Sequence, residues 1–598
     1  MKKLLGRKVT QALISILFLS LSAGCSTICI HKKWPRPILT TANESIAWQS
    51  NVPPQSDALS SAEVAYSSAL EAMDCCDAKC VDCFFQAAQF AWQDIQKQIR
   101  TCGTFGGRAS EIYQSSLIGL IIEGQYHKRF DPTCRLQVNT PQGWTSIECV
   151  YHGFQQNPKE FNSLISVGDY STKELNTIFC KDGLGVPVVV ARTETFSGPF
   201  QRSNGVFAAT LVLRSDTVNA TSADPFVLEF YNPIETSSLC IHEVDVPIAF
   251  DKSAATARVV ATTQRNYFQS FIQPGSARTT DEYGLFMLEP YQPGKIPIIF
   301  VHGLLSDRLT WANMVNELRA CPFVANRYQL WGFQYSTGGE FLVSAALLRR
   351  QLRQLRCIVD PNATDTALEN TVLVGHSMGG LISKVQIADS KNKLWDSISK
   401  CPFDQVVMDD FTREQFTQTM FFERSRMVSR VVFIGTPHRG SVIAQRAVGR
   451  LGSMLVDQPI DLELGHRKLL CDNPDVFSRE YSNRIPTSID ILEPKSPLLF
   501  AVNSLPLDPK IQMHSIIGRG RWMLGSGDSD GVVPVTSARQ EGAISEMLVH
   551  EKHTDLTKNA LVIAELLSIL REHCKQADVK FEHAVIDEAI EPETLLVP

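Results

Sequence analysis

The length, composition and charge of this chain indicate a large globular protein and argue against a nucleic-acid partner. It has 598 residues, 44% of them hydrophobic and 20% charged, which is enough for roughly two or three folded units with buried cores. Its formal net charge is −6, and the absence of a long basic or acidic run in the sequence argues against nucleic-acid binding.

The first 24 residues have the pattern of a signal peptide. A positively charged start precedes a short apolar stretch at 12–21, and small residues at 22–24 complete the pattern. Cys25 follows directly, and the sequence LSAGC resembles the lipobox of bacterial lipoproteins. The resemblance implies an exported chain that is tethered to a membrane through a lipidated Cys25, and Ser26 favours the outer membrane. Plain secretion is the alternative.

A proline-containing linker is predicted at 25–59, followed by a helical, cysteine-rich segment at 60–133. Its helical pattern is clearest at 63–73 and 84–99. The spacing of four cysteines in it can chelate zinc, but an oxidising compartment favours disulfides to another element, with Cys102, Cys134 and Cys149 as candidate partners. Both alternatives stay open for the four cysteines, which are Cys75, Cys76, Cys80 and Cys83.

Residues 134–280 change to short strands separated by glycine, proline and asparagine turns. This pattern predicts a β-rich accessory domain, which we interpret as a β-sandwich-like unit. The strands are predicted at 144–151, 186–192, 206–214, 226–231 and 258–263.

Residues 281–574 alternate strands with helices, which predicts an α/β domain with a mostly parallel sheet and helices on both faces. Two long excursions, 389–427 and 441–509, are predicted to form a helical cap. If the phenylalanines of the first excursion line a site, they favour hydrophobic substrates such as acyl chains. Packing of the cap helices onto the core explains these phenylalanines equally well. A C-terminal tail is predicted at 575–598. The strands are predicted at 296–301, 329–335, 371–374, 428–434, 513–518 and 547–550, and the helices at 340–356, 381–388 and 554–571.

The most informative motif is the sequence GHSMGG at 375–380, between a short apolar strand and a helix. This is the setting of a nucleophile elbow, which makes Ser377 the candidate nucleophile. Small neighbours are needed because the serine backbone is strained and the strand and helix pass close to it.

Three further motifs lie in the order that Ser-His-Asp chemistry needs. The sequence HGLL follows strand 296–301, so the Leu304 and Met378 N–H groups can form an oxyanion hole. The sequence GDSDGVVP supplies the acid, Asp530, with Asp528 as the alternative. The sequence HEKHTDL supplies the base, His553, with His550 as the alternative.

Together these motifs resemble those of an α/β-hydrolase of the lipase/esterase kind. The resemblance rests on IIFVHGLL, VLVGHSMGGLIS, VVFIGTPHRGS, GDSDGVVPV and HEKHTDL, and it covers roughly half of the chain. It implies a serine hydrolase that cleaves small-molecule or lipid esters through an acyl-enzyme on Ser377, with Asp530 as acid and His553 as base and with no metal or organic cofactor. An amidase, a peptidase or an acyltransferase uses the same triad, and a non-catalytic envelope binding protein on this scaffold is the alternative outside enzymes.

Overall fold

The computed structural model of the protein describes most of the chain from residue 57 onward. Cys25, the predicted signal peptide and nearly all of the predicted linker lie outside it. Within the part described, none of the helices combines the length and the apolarity that a membrane crossing requires. The described residues are 57–154, 157–167, 174–192, 200, 205–215, 225–263, 283–441, 460–483, 485–523 and 527–588.

Three helices begin the fold, as the sequence predicted: α1 (Ala58–Asp74), α2 (Lys79–Cys102) and α3 (Gly107–Tyr126). Apolar side chains recur on α2 every three or four residues and all are buried: Phe84, Ala88, Trp92, Ile95 and Ile99. This spacing places them on one face of the helix. The helix ends at Gly103, which adopts a left-handed conformation and donates its N–H to the Ile99 carbonyl.

A seven-stranded sheet follows, in the order β1-β2-β3-β8-β7-β6-β4, with β3 and β8 as its one parallel pair. Two short pairs, β9 with β10 and β5 with β11, lie outside it. The strands are β1 (Phe130–Asp131), β2 (Arg135–Thr140), β3 (Gly143–His152), β4 (Phe161–Ser166), β5 (Cys180–Lys181), β6 (Val186–Arg192), β7 (Val206–Arg214), β8 (Val227–Tyr231), β9 (Ser238–Ile241), β10 (Val244–Pro247) and β11 (Phe250–Asp251).

The predicted β-sandwich is wrong, because the layer that covers this sheet is helical. Phe84 and Trp92 of α2 belong to the same buried core as Leu211 of β7 and Phe230 of β8. The amphipathic helices supply the apolar surface that a second sheet would otherwise provide. The helical and β-rich segments therefore share one core.

The strand predicted at 258–263 is also wrong. These residues end helix α4 (Ala254–Thr262). The Asp251 carboxylate accepts the N–H groups of Ser253 and Ala254, both at 2.9 Å. This local cap, together with buried alanines on α4, outweighs the β propensity of the valines and threonines.

The second sheet has the order β12-β14-β13-β15-β16-β17-β20, and every pairing is parallel except that of the edge strand β12 with β14. The predicted mostly parallel sheet is confirmed. The strands of this half are β12 (Gly284–Met287), β13 (Ile296–Val301), β14 (Tyr328–Gln334), β15 (Thr371–His376), β16 (Val428–Ile434), β17 (Gln512–Gly518), the hairpin β18 (Arg521–Met523) and β19 (Gly527–Ser529), and β20 (Ser545–Val549).

Helices cover both faces of this sheet. Successive residues of β13 point to opposite faces, and they pack in two different cores. Ile299 packs in the core that contains α7 and α8, whereas Ile298 packs in the core that contains α5 and α16. Helix α16 runs past residue 574, where the tail was predicted to begin. The helices are α5 (Ala312–Ala320), α6 (Pro322–Arg327), α7 (Phe341–Val359), α8 (Met378–Lys384), α9 (Lys393–Ile398), α10 (Asp410–Met420), α11 (Ile460–Asp472), α12 (Arg479–Asn483), α13 (Ser488–Ile491), α14 (Pro497–Asn503), α15 (Val535–Ala538) and α16 (Ala560–Glu588).

The two excursions are helical in the part that the structure describes, with α9 and α10 in the first and α11 to α14 in the second. Trp395 of α9 lies at their centre. Four phenylalanine rings have centroids 4.9–6.3 Å from the Trp395 ring, and they are Phe403, Phe416, Phe421 and Phe477. These aromatic residues therefore pack the excursion helices together.

No disulfide joins the cysteines of the described ranges, so the preference for disulfides in the cysteine-rich segment is not supported there. Cys75 and Cys76 are exposed at the end of α1, whereas Cys80 and Cys83 are buried on α2. Cys80 faces α3, where its neighbours are a carboxylate and an imidazole instead of a second thiol.

Candidate active site

Ser377 occupies the sharp turn between β15 and α8. Its backbone has φ 54° and ψ −125°, a strained combination for a residue with a side chain. Two hydrogen bonds hold it: the Ser377 N–H donates to the Ile434 carbonyl at 2.9 Å, and the Ser377 carbonyl accepts the Gly380 N–H at 3.0 Å. This is the strand, turn and helix geometry of a nucleophile elbow.

The glycines of the motif are required by close packing. A Cβ at Gly375 would lie 2.5 Å from the Gly380 Cα, and a Cβ at Gly379 would lie 2.1 Å from the Val301 carbonyl oxygen. Both distances are shorter than real Cβ contacts, and in each case the obstacle is backbone. Without side chains at these positions, α8 can pack closely against β15 at Gly375 and against the end of β13 at Gly379.

Gly379→Ala is expected to lower the free energy of unfolding by about 1–3 kcal/mol or more, because the Val301 carbonyl cannot move without disturbing β13. Gly465→Ala is the matched control, since Gly465 lies on α11 with no heavy atom within 4 Å of an added Cβ. That variant should unfold like the wild type or be slightly more stable. Chemical denaturation measures both, and equal midpoints for Gly379→Ala and wild type would contradict the packing.

Asp530 and His553, the predicted acid and base, form a buried hydrogen-bonded pair. The His553 Nδ1–H donates to Asp530 Oδ2 at 2.7 Å. The other carboxylate oxygen accepts the Val532 and Val533 N–H groups at 2.9 and 2.7 Å. Burial by itself raises the pKa of Asp530, but His553 and these amides outweigh it and hold the pKa below its usual value. The carboxylate is therefore ionised, and the tautomer of His553 that donates from Nδ1 carries its lone pair on Nε2.

The alternative acid and base lie apart from this pair. Asp528 accepts the Gly520 N–H at 2.6 Å and forms an ion pair with Arg519 at 3.1 Å. His550 is exposed, and its ring lies against Gly520.

His376 connects the elbow to His553. The two rings have centroids 4.8 Å apart, and the His376 Nε2–H donates to the His553 carbonyl at 3.0 Å. Through these contacts His376 has a structural role, since it holds the backbone at His553. Ser377 and His553 are each 7% exposed. Within the described residues no hydrogen bond joins the Ser377 hydroxyl to His553, a contact that often tightens only when substrate binds.

The HGLL turn lies directly beside Ser377. A Cβ at Gly303 would be 2.8 Å from the Ser377 Cβ. His302 shapes the turn: its Nδ1–H donates to the Gly303 carbonyl at 3.0 Å, and its Nε2 accepts the Tyr335 N–H at 3.3 Å. The stacked Tyr335 ring also donates its O–H to the His302 carbonyl at 2.7 Å.

The two predicted oxyanion donors are both available. Met378 is the first residue of α8, so its N–H has no partner within the helix. Neither the Met378 N–H nor the Leu304 N–H donates to any group in the described part of the chain. The two amides flank the Ser377 turn and can donate hydrogen bonds to a negatively charged oxygen.

Two buried polar residues near the elbow, Lys384 and Tyr335, belong to no motif in the sequence and were not predicted as part of the site. Lys384 ends the elbow helix and is buried; its Nζ donates to Asn503 and Gln540 at 2.5 and 2.9 Å. Burial, with a smaller contribution from Arg439, lowers the pKa of Lys384 to about 7. A lysine inside the predicted helix 381–388 was the available signal for it. Tyr335 could have been found only as a tyrosine at the end of a predicted strand.

His438 of the TPHRG motif is buried, and its ring meets Phe433 edge to face at 4.7 Å. Neither ring nitrogen has a hydrogen-bond partner in the described residues. These contacts make His438 a packing residue of its loop.

Buried histidines make acid stability a direct test of this packing. Burial lowers the pKa of His302 to about 4, of His376 to about 3 and of His514 to about 4, and it lowers the pKa of His438 well below 6.5. Between pH 6.5 and about 4 the unfolded chain therefore binds protons that the folded chain does not. Stability is present above pH 6.5 and is expected to be lost as the pH falls, by about 1.4 kcal/mol per pH unit for each such histidine.

Two carboxyls, those of Glu340 and Asp251, oppose this trend, because burial raises the pKa of each. Burial raises the pKa of Glu340 to about 7, so Glu340 stabilises the fold as the pH falls from 7 towards 4.5. Urea unfolding at several pH values should show a net loss of stability in acid, and Glu340→Gln should steepen it. A wild-type stability that is flat or rises between pH 6.5 and 4.5 would contradict the buried neutral histidines.

A separate cleft lies between the first sheet and the second. Phe207, Asn232 and Lys252 line it from one side, and Arg319 and Tyr328 from the other. None of the candidate catalytic residues lines this cleft.

No protein-family model and no curated protein matches the chain. Among solved structures, the mature lipase BlEst2 from Bacillus licheniformis is similar at 18% identity, with a TM-score of 0.29 over 48% of this chain and 97% of that one. A Staphylococcus hyicus lipase matches at 14% identity and TM-score 0.29, over 49% and 98%. Esterase B from Lactobacillus rhamnosis matches at 14% identity and TM-score 0.28, over 50% and 82%. Identity and TM-score are too low for the chain to be assigned to a family.

Proposed function

We propose that the protein is a serine hydrolase that cleaves carboxylic esters through an acyl-enzyme on Ser377. The observation that carries the proposal is the buried Asp530–His553 pair, whose histidine lies against His376, the residue before the elbow serine. A purely structural role for His553 does not explain why three features occur together: a buried carboxylate 2.7 Å away, a strained serine and two backbone N–H groups that donate to no described group. Nucleophilic catalysis requires all three.

In the proposed reaction His553 Nε2 takes the Ser377 hydroxyl proton as Oγ attacks the ester carbonyl carbon. The carbonyl π electrons move to the oxygen, and the Leu304 and Met378 N–H groups donate to that oxyanion. When the intermediate collapses, the C–O bond to the alcohol breaks and His553 returns the proton to the leaving oxygen. A water then attacks the acyl-enzyme by the same steps, which releases the acid and restores Ser377.

Asp530 acts in this scheme without changing its own protonation. It holds the His553 ring with Nδ1 protonated and stabilises the imidazolium that forms. Its two amide hydrogen bonds keep it ionised in a buried site. The oxyanion amides contribute through hydrogen bonds, and losing one such donor typically costs on the order of 3 kcal/mol of transition-state stabilisation.

A fluorophosphonate probe tests the enzyme class, because it phosphonylates an activated serine and spares an ordinary one. We expect the folded wild type to be labelled and to hydrolyse p-nitrophenyl esters, whose acyl chains can then be varied to find the preferred length. A folded wild type without labelling would contradict the proposal. Labelling with turnover of an amide or peptide alone would assign another acyl-transfer reaction to the same residues.

We also propose, from the sequence alone, that the enzyme acts as a lipoprotein of the bacterial envelope, anchored in the outer membrane through Cys25. Cys25→Ala should abolish incorporation of a clickable palmitate analogue and release the chain from the membrane fraction, because the thiol is the acceptor. Ser26→Ala is the control and should keep the label. Equal palmitate incorporation into wild type and Cys25→Ala would contradict the anchor.

A further inference from the structure

We propose that Cys80, Glu123 and His127 bind a zinc ion between helices α2 and α3. The three donor atoms, one each of sulfur, oxygen and nitrogen, all lie within 4.8 Å of one another. The site is in the N-terminal unit, and the proposal does not depend on the esterase assignment.

The distances agree with a tetrahedral site that needs little rearrangement. Zinc–ligand bonds of ~2.0–2.3 Å imply donor-to-donor separations of about 3.3–3.6 Å. Cys80 Sγ lies 3.9 Å from Glu123 Oε2, and His127 Nε2 lies 3.6 Å from the same oxygen. Small side-chain rotations therefore suffice to bring the three donors to bonding distance.

Burial also points to a ligand. The Cys80 side chain is fully buried, and the side chains of Glu123 and His127 are 15% and 13% exposed. His127 Nε2 is buried without a hydrogen-bond partner in the described residues. A buried ring nitrogen without a hydrogen-bond partner is unfavourable, and a metal bond through its lone pair would remove that cost.

The charges around the site suit a divalent cation. A thiolate and a carboxylate together balance Zn²⁺, and the imidazole adds a neutral ligand. Glu123 and His127 stand at the carbonyl end of α3, which attracts a cation. Cys80 is at the amino end of α2, and Zn²⁺ displaces the proton of its thiol when it binds. Arg129, the cation whose charge acts on Cys80, is already paired with Asp82 and donates to the Ala78 carbonyl.

Three protein ligands leave one tetrahedral position open. Cys83 is one turn further along α2 and buried, but it is not part of the three-donor cluster. A water molecule is therefore the fourth ligand that we propose. The mixed Cys, His and carboxylate donor set favours zinc over the hard cations Ca²⁺ and Mg²⁺, which take oxygen ligands.

Zinc and cobalt binding to the purified full chain test the site. After dialysis against limiting Zn²⁺, native mass spectrometry should find one zinc per chain in wild type and in Cys102→Ser, a control on the exposed far end of α2. Cys80→Ser and His127→Gln should each weaken binding by roughly tenfold or more, since each removes a ligand. Co²⁺ should give a thiolate-to-metal charge-transfer band in wild type that Cys80→Ser lacks.

Several results would overturn the proposal: a folded wild type that binds no zinc or lacks the cobalt band, Cys80→Ser binding zinc as well as wild type, or non-reducing peptide mapping that finds Cys80 in a disulfide. The cobalt measurement on wild type decides the question even if a variant does not fold. Fluorophosphonate labelling of the same samples reports on Ser377 separately, so failure of one proposal is distinguishable from failure of the other.

Discussion

Ser377→Ala is expected to abolish fluorophosphonate labelling and to lower kcat for ester hydrolysis by roughly 10⁴- to 10⁶-fold. The methyl group cannot attack a carbonyl, whereas the Asp530–His553 pair and the two oxyanion amides remain in place. Because only one oxygen is removed from a site that is 7% exposed, the unfolding midpoint should change little. Single-turnover kinetics and denaturation of the same preparation measure both effects.

Ser383→Ala is the matched control on the same helix. The Ser383 hydroxyl is fully buried and donates to the Gly379 carbonyl at 2.8 Å, so this substitution removes a structural hydroxyl one turn beyond the elbow. The variant should keep its labelling even if it is slightly less stable. If Ser377→Ala is still labelled, or Ser383→Ala alone loses the label, the nucleophile is a different residue.

Asp530→Asn should lower kcat by roughly 10⁴-fold near neutral pH. The asparagine oxygen can still accept the Val532 and Val533 N–H groups, but its NH₂ group then faces His553 Nδ1. That nitrogen becomes an acceptor, and the proton moves to Nε2, where it prevents His553 from deprotonating Ser377. The loss should appear in kcat more than in KM, because the interaction matters most in the transition state.

Asp528→Asn tests which of the two carboxylates of the GDSDG motif is the acid. Asp528 pairs with Arg519 at the surface, so its amide variant should stay within about a factor of two of wild type. Equal loss in both variants would mean that the whole motif loop has been disturbed. A loss in Asp528→Asn alone would make Asp528 the acid and contradict the observed pairing.

The sequence predicted most elements of the second sheet, because strands that are buried on both faces are short, continuous apolar runs. Strands β13 and β16 agree with the predicted 296–301 and 428–434 residue for residue. The elbow could also be predicted from the sequence, because any such turn needs small residues around the serine to avoid the same close contacts. Local chemistry was sufficient in both cases.

The prediction of secondary structure and of domain architecture failed where a local sequence pattern was compatible with two structures. The β-branched residues at 258–263 favour a strand, but a cap from Asp251 and packing against the first sheet make them helical. The β-rich segment was interpreted as a sandwich because the strand pattern indicates that one face of the sheet is buried. The pattern does not indicate whether a second sheet or helices cover that face. Helix α2 is that cover, and it comes from an earlier part of the chain.

The sequence by itself determined which chemical groups this protein has and in what order: a serine on an elbow, a following acidic loop and a final histidine motif. Only the tertiary structure decided that Asp530 and not Asp528 faces His553, and that Cys80 meets Glu123 and His127 instead of another thiol. The physical reason is distance along the chain. Propensity and spacing act over a few residues, whereas these contacts join residues 23 and 43 positions apart, and packing of whole layers brings them together.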